Sequence, residues 1–225
     1  MKIVFLTGAG VSRESGIKTF RDSDGLWEGH DVMEVASIEG WKKDREKVLK
    51  FYNERRAQLD TVEPNLAHKL IAELEQEHDV VVITQNVDDL HERAGSTNVM
   101  HLHGELRKMC SSMNKKSVLP YTQDIKIGDK HEDGSQLRPF IVWFGEDVPR
   151  MPDTTKEVMS ADVLVVIGTS LEVYPAAGLV RFAKGSCRLF YIDPQPNKDV
   201  PGIEYFSVIE KIATDGMKEL VEYLK

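Results

Sequence analysis

Lys2-Ile3-Val4-Phe5-Leu6-Thr7-Gly8-Ala9-Gly10-Val11-Ser12 is the stretch from which the fold is read. The run from Ile3 to Leu6 is apolar without alternation, which suits a strand buried on both faces in a parallel sheet covered by helices. A glycine turn cuts it off. Runs of the same kind recur at Val80–Ile83, Pro139–Phe144, Val163–Ile167 and Leu189–Ile192. Between them lie stretches with helical spacing: Asn65–Glu77 (with Leu66, Leu70 and Leu74 inward), Thr154–Ser160, Ala176–Lys184 and Gly216–Leu224. Pro64 gives the first of these a sensible start. Strand and helix alternating in this way predict an α/β domain with a doubly wound parallel sheet.

Two segments interrupt the alternation. Gly29 to Leu59 reads as helical with no strand, and Glu105 to Arg138 is polar and irregular with one weak strand candidate at Ser117–Pro120. A long irregular insertion in a compact domain is usually functional or a small subdomain. The expected organisation is therefore a large domain from residues 1–29, 59–104 and 139–225, with a satellite from residues 30–58 and 105–138 layered beside its sheet.

The chain has 225 residues, 41% of them hydrophobic and 29% charged, so it can bury a substantial core without disulfides. Lys+Arg 29 against Asp+Glu 37 gives a net charge of −8, which argues against nucleic acid as the main ligand. Cys110 and Cys187 are the only cysteines, too few for a disulfide framework or a four-cysteine zinc site. The first apolar run is too short for a signal peptide, and no stretch approaches the roughly 20 apolar residues that span a bilayer. A cytoplasmic, monomeric protein without membrane contact is expected.

In open α/β sheets ligands sit beyond the carboxyl ends of the strands. The first strand ends in Gly8-Ala9-Gly10-Val11-Ser12, glycines that let a backbone approach a phosphate at a helix N-terminus. The third glycine of a dehydrogenase fingerprint is replaced by Arg13, and no acidic residue closes a second strand about 20 residues on. The second strand ends in Thr84-Gln85-Asn86-Val87-Asp88, where amides and a carboxylate could hold ribose hydroxyls, although Asp88 could equally cap the next helix. A third polar turn, Gly168-Thr169-Ser170, follows Val163–Ile167. His101-Leu102-His103-Gly104 supplies an acid–base candidate, since histidine titrates near neutrality. In an extended segment its two histidines share a face, which suggests a metal pair but lacks a third ligand. Val48, Tyr52, Arg55 and Leu59 follow the spacing of an inward helix face. Tyr52 and Arg55 could clamp a carboxylate with directed, charge-assisted bonds, or Arg55 could pack its stem and send its head to water.

Taken in order, these strings resemble the sirtuin family of NAD-dependent protein lysine deacylases, and most closely small bacterial sirtuins with a Tyr-x-x-Arg motif. The strings are Gly8–Ser12 with Ser15-Gly16-Ile17-Lys18-Thr19-Phe20-Arg21, Thr84–His91, His101–Gly104, Val142-Trp143-Phe144-Gly145-Glu146 and Gly168-Thr169-Ser170-Leu171-Glu172-Val173-Tyr174-Pro175. The resemblance implies a Rossmann-like NAD domain. Gly8, Ala9, Gly10, Ser12, Phe20 and Arg21 would hold the phosphates and nicotinamide ribose. Gln85, Asn86 and Asp88 would bind the ribose and nicotinamide side, and Gly168, Thr169, Ser170, Asp193 and Ala213 the adenosine end.

His103, with Asn86, would be catalytic. The substrate's acyl oxygen would attack the ribose carbon as nicotinamide leaves, and His103 would take a proton from the ribose hydroxyls. Free lysine and O-acyl-ADP-ribose would be released. The acyl-lysine peptide would add as a strand between Gly145-Glu146 and Glu172–Tyr174, near Phe144 and Val173. Tyr52 and Arg55 would admit succinyl or malonyl as well as acetyl groups.

Two departures stand out. The family's satellite usually carries two cysteine pairs for zinc, whereas this one holds only Cys110, so a zinc-free, degenerate ribbon is expected. The usual strand-end asparagine is Asp193. An ADP-ribosyltransferase sharing the cleft, and a non-catalytic NAD or ADP-ribose sensor, are the alternatives.

Overall fold

The computed structural model describes residues 1–19, 26–27, 29–200 and 203–224. Its strands are β1 (Lys2–Thr7), β2 (Leu26–Trp27), β3 (His30–Asp31), β4 (Asp79–Thr84), β5 (Val99–His101), β6 (Gly104–Ser111), β7 (Val118–Pro120), β8 (Leu137–Ile141), β9 (Val163–Ile167), β10 (Arg188–Ile192) and β11 (Ser207–Ile209). Its helices are α1 (Val32–Val35), α2 (Ile38–Lys43), α3 (Arg45–Gln58), α4 (Leu66–Glu73), α5 (Leu90–Ala94), α6 (Met151–Ser160) and α7 (Ala213–Leu224).

One parallel sheet runs β11-β10-β9-β1-β4-β5. The chain builds outward from β1 through β4 and β5, then returns to β1's other side at β9. The order therefore reverses at β1, and its carboxyl end is where an open sheet leaves a crevice. Each face of the sheet has its own apolar core. Ile3, Phe5, Val80, Val82, Val163 and Val165 face α4 and α7, while Val4, Leu6, Val81, Ile83, Leu164 and Val166 face α6 and the 3-10 helix Ala176–Phe182. All of these are buried, as uninterrupted apolar runs require. Helix α4 turns Ala67, His68 and Ile71 inward, and Leu66, expected inward, is 39% exposed.

The satellite has a third core, in which Val48, Leu49, Phe51 and Tyr52 of α3 meet Leu106, Leu137, Ile141 and Trp143. It includes the antiparallel sheet β7-β6-β8 and the hairpin β2-β3. Pro139–Phe144, read as a strand of the parallel sheet, instead contributes its first half to β8 in this small sheet, so the boundary expected at residue 139 falls inside a strand. The stretch from Gly29 also holds β3 before its helices. Asp31, Ser37 and Asp44 accept from Met33, Gly40 and Lys47 backbone N–H groups and so start α1, α2 and α3 in turn. Buried Arg56 ties the helical and ribbon parts together, donating to the carbonyls of Leu106 (2.8 Å) and Gln123 (3.1 Å). No described helix is long and apolar enough to cross a membrane.

Candidate active site

The turns after β1 and β9 meet closely, Gly8 and Gly10 lying against Gly168 and Thr169. Gly10 N–H donates to the Gly168 carbonyl at 2.8 Å, and a Cβ on Gly10 would lie 2.6 Å from Gly168 Cα. Gly168 has φ +65°, and a Cβ there would sit 2.3 Å from the Val11 nitrogen. These glycines are thus required by the contact between the two turns as well as by any approaching ligand. The helix expected after the turn is absent: two short 3-10 turns, Ala9–Val11 and Arg13–Ser15, take its place. Arg13, where a dehydrogenase fingerprint has glycine, lies in the second of these and faces the cleft.

The end of β4 is fixed by side chains. Thr84 Oγ1 accepts from the Asn86 backbone N–H at 3.0 Å, and the Asn86 amide donates to the Gly8 carbonyl (3.2 Å) and Ser12 Oγ (3.1 Å). Ser12 in turn donates to Asp88 at 3.0 Å, and the other Asp88 oxygen accepts from Leu90 N–H at 3.2 Å. Asp88 therefore accepts from the first N–H of α5, whose N-cap position is Asp89, and borders the cleft. Burial pushes its carboxyl up to about 6. Gln85 donates to Thr169 Oγ1 at 3.1 Å, joining this turn to the one after β9.

After β5 the chain bends at fully buried Leu102, and the two histidines reach the consecutive carbonyls of Gln85 and Asn86. His103 Nδ1 lies 3.0 Å from the Gln85 carbonyl. A carbonyl only accepts, so Nδ1 carries the proton and Nε2 keeps its lone pair. Burial lowers the His103 pKa, and the bond to Gln85 offsets this only in part, so the ring is a neutral base at pH 7. Gly104 follows with φ +86°, where a Cβ would meet the Phe140 carbonyl oxygen at 2.1 Å. Only glycine lets the chain cross into β6 at this point.

The satellite forms the opposite wall. Trp143 Nε1 donates to the Tyr52 hydroxyl at 3.0 Å, leaving that hydroxyl its own proton to donate, and burial raises the Tyr52 pKa far enough to keep it protonated. Phe144 is clamped on both backbone groups, its N–H to the Ala36 carbonyl (2.8 Å) and its carbonyl to Ile38 N–H (3.1 Å). Glu146 accepts from Arg138 at 2.9 and 3.2 Å and from Trp143 N–H at 3.0 Å, and pairs with Lys115 at 2.8 Å. Its carboxylate thus holds the loop in shape.

Sheet and satellite enclose a cleft of about 870 Å³. Of the residues singled out from sequence, Gly8, Ala9, Gly10, Gln85, Asn86, Asp88, His103, Gly168, Thr169, Ser170, Asp193 and Ala213 line it, as do Tyr52, Phe144, Gly145, Glu146 and Val173. Ser12 is fully buried behind the wall. Arg55, one turn on from Tyr52, rests its guanidinium 5.3 Å from the Phe51 ring centre and is not among the lining residues described. Phe20 and Arg21 lie outside the described residues. Trp143 and Ala36 were missed as wall residues. Trp143 stood inside a quoted string, whereas nothing local marks Ala36.

In the ribbon, Ser111 Oγ donates to Asp133 (2.5 Å), bonds Ser135 Oγ (2.8 Å) and accepts from Met113 and Asn114 N–H at 3.0 and 2.9 Å. Cys110 is fully buried beside it, and burial pushes its thiol up to about 11. These donors are engaged with one another, and a thiol held protonated is a poor zinc ligand. Elsewhere, ligand atoms of Glu92, His101 and Glu105 lie within 4.8 Å of one another, and Glu105 is also paired with Lys108 at 2.7 Å.

Glycine-lined, amide-rich strand ends face one neutral imidazole across a cleft on an α/β sheet, an arrangement with the chemistry to hold a nucleotide and accept a proton. A model of the Sir2 family matches residues 8–175. The chain belongs to the Sir2 family. An NAD-dependent protein deacylase of Helicobacter pylori is 53% identical over 223 residues, 99% of this chain and 96% of the relative. One of Bacteroides thetaiotaomicron is 50% identical over 228 residues, 99% of this chain and 97% of the relative. A solved Sir2 homologue in complex with NAD is 43% identical with a TM-score of 0.88, over 99% of this chain and 89% of that one.

Proposed function

We propose that this chain is an NAD-dependent protein deacylase acting on acylated lysine side chains. The observation that carries the reading is the His103 imidazole, fixed by the Gln85 carbonyl with Nε2 free, in one cleft with three polar strand ends. The residues fit NAD. Gly8, Gly10 and Gly168 leave the backbone bare for phosphates, while the Asn86 and Gln85 amides and the Thr169 and Ser170 hydroxyls offer partners for ribose. Asp193 and Ala213 border the adenosine end, and Phe20 and Arg21 are assigned to the phosphates and nicotinamide ribose.

NAD supplies the electrophilic ribose carbon from which nicotinamide leaves. The chain's part is placement and one proton. His103 Nε2 accepts a proton from a ribose hydroxyl, and the Nδ1–H bond to Gln85 steadies the ring as it becomes charged. The substrate's backbone fits as an added strand between Gly145-Glu146 and Glu172–Tyr174, recognised through main chain first. A satellite without zinc completes the wall.

Acidic acyl groups are also substrates in this reading. The Tyr52 hydroxyl presents a donor to the cleft, and Arg55, on the next turn of α3, supplies the charge that succinyl or malonyl requires. Incubation of acetyl-, succinyl- and malonyl-lysine peptides with and without NAD, read by mass spectrometry, tests both parts. Deacylation and nicotinamide release are expected only with NAD, and release without NAD overturns the reading. Arg55→Met is expected to lower succinyl relative to acetyl turnover about tenfold; an unchanged ratio removes Arg55 from the acyl site.

A further inference from the structure

His101 and His103 take the consecutive carbonyls of one turn: His103 Nδ1 is 3.0 Å from Gln85 O, and His101 Nδ1 is 3.0 Å from Asn86 O. The other His101 nitrogen meets Glu92 Oε1 at 2.7 Å. A carbonyl and a carboxylate both only accept, so each His101 nitrogen donates and the ring is an imidazolium. Other titratable groups around it are Glu105 and Lys108 on β6, Asp88 before α5 and His91 within it, the last kept neutral by burial. Burial is the largest single influence and lowers the His101 pKa, but the Glu92 bond and charge, the Glu105 charge and the Asn86 carbonyl together raise it overall.

Asn86 is therefore pinned through both of its backbone groups, its N–H by Thr84 Oγ1 (3.0 Å) and its carbonyl by His101. Asn86 shares a peptide unit with the Gln85 carbonyl that selects the His103 tautomer. It also carries the amide that reaches Gly8 and Ser12. We infer that His101, held by Glu92, is a positioning residue for the reaction, fixing the 85–86 turn so that His103 keeps Nε2 basic and Asn86 keeps its aim. This rests on the deacylase reading for its kinetic consequence. The tautomer consequence stands apart from it.

The test compares His101→Asn, His101→Gln, His101→Leu and Glu92→Gln in NAD-dependent deacylation of an acetyl-lysine peptide, together with nitrogen-15 spectra of the His103 ring. An asparagine amide reaches where Nδ1 stood, whereas a glutamine amide reaches where Nε2 stood. His101→Asn is expected to keep most of kcat. His101→Leu and His101→Gln are expected to lose on the order of tenfold to a hundredfold in kcat with KM little changed, as misplacement of a reacting group does. The spectra are expected to show His103 protonated on Nδ1 in the wild type and the Asn variant, and a tautomer mixture in the Leu variant. Glu92→Gln, a milder change at a half-exposed position, is expected to show a partial version of both effects should the Leu variant fail to fold.

Equal loss in the Asn, Gln and Leu variants, or a loss confined to KM, overturns the inference. So does an unchanged His103 tautomer in the Leu variant, or in Glu92→Gln if the Leu variant does not fold, whether or not the protein deacylates. A wild type that does not deacylate overturns the functional reading instead.

Discussion

The two walls of the cleft are held in different ways. The sheet wall rests on apolar strands whose ends meet closely, with glycines at Gly8, Gly10 and Gly168 where a Cβ would collide. The satellite wall rests on buried polar groups: Arg56 on two carbonyls, Arg138 on Glu146, and Ser111 at the centre of a ribbon network. Apolar packing is insensitive to pH and tolerant of detail, whereas a buried polar network is costly to break at any one member. The sheet wall should therefore fail in chemistry when altered, and the satellite wall in stability.

The largest effect expected is on the sheet side. His103→Ala removes the only neutral imidazole that faces the cleft among the described residues. Turnover should fall about 10²- to 10⁴-fold with melting temperature nearly unchanged. For the same reason wild-type activity should hold as pH falls through 6.5, because the ring is the base, its pKa is lowered, and the active form persists to lower pH. A loss of activity that begins above pH 7 would assign the base to another group.

On the satellite side, Arg138→Met is expected to cost about 3 kcal/mol in denaturant unfolding. It strands Glu146, itself 8% exposed, and removes a guanidinium 3.4 Å from the Trp143 ring centre. A change below about 1 kcal/mol would mean that Lys115 alone satisfies Glu146 and that the contrast between the walls is weaker than drawn.

The sheet wall was the more legible of the two. Uninterrupted apolar runs marked β1, β4, β9 and β10, and every turn singled out lies at the crevice, because burial on both faces leaves a plain compositional trace. The same rule misplaced Pro139–Phe144. An antiparallel strand whose residues are nearly all buried looks the same in sequence as a parallel one. The edge strands β5 and β11 carry only three residues each, too few for any period to register. In the satellite, Arg56 rather than Arg55 is the fully buried arginine of α3, since its partners, the carbonyls of residues 106 and 123, are invisible to helical spacing. His101 was visible as a residue, but its partners, the Asn86 carbonyl and the Glu92 carboxylate, lie on other elements that spacing within 101–104 does not reveal.

A smaller effect is expected at the ribbon hub. Ser111→Ala removes four hydrogen bonds at once and leaves two backbone N–H groups without their acceptor, at a cost of about 1–3 kcal/mol. The same network gives the satellite an acid sensitivity of its own. Bonds from Ser111 and Ser135 hold Asp133 down to about 2. Burial pushes Glu146 up, but Arg138 and Lys115 outweigh it and keep it below the glutamate range. Carboxyls lowered in the folded state contribute their stability above their ordinary pKa, about 4, and lose it as pH falls through the folded value. Tryptophan fluorescence should report the satellite loosening between about pH 4 and pH 2, and Ser111→Ala should shift that transition to higher pH.

The smallest effect expected is none, and it bears on the comparison most directly. A zinc ribbon is held by its metal, and chelation unfolds it because binding energy is folding energy. Here the ribbon's turns are joined by Ser111, Asp133 and Ser135, and the one thiol nearby, Cys110, is fully buried with its pKa pushed up to about 11. Holding zinc there would require deprotonating a group that burial keeps neutral and breaking the bonds from Ser111 to Asp133 and Ser135 that already close the loop. A strong chelator should therefore leave the melting temperature and the NAD-dependent turnover where they were, and metal analysis of the purified protein should find less than about a tenth of an equivalent of zinc. A fall of several degrees on chelation would show that a metal holds the satellite after all, and that the hydrogen-bonded hub is its scaffold rather than its replacement.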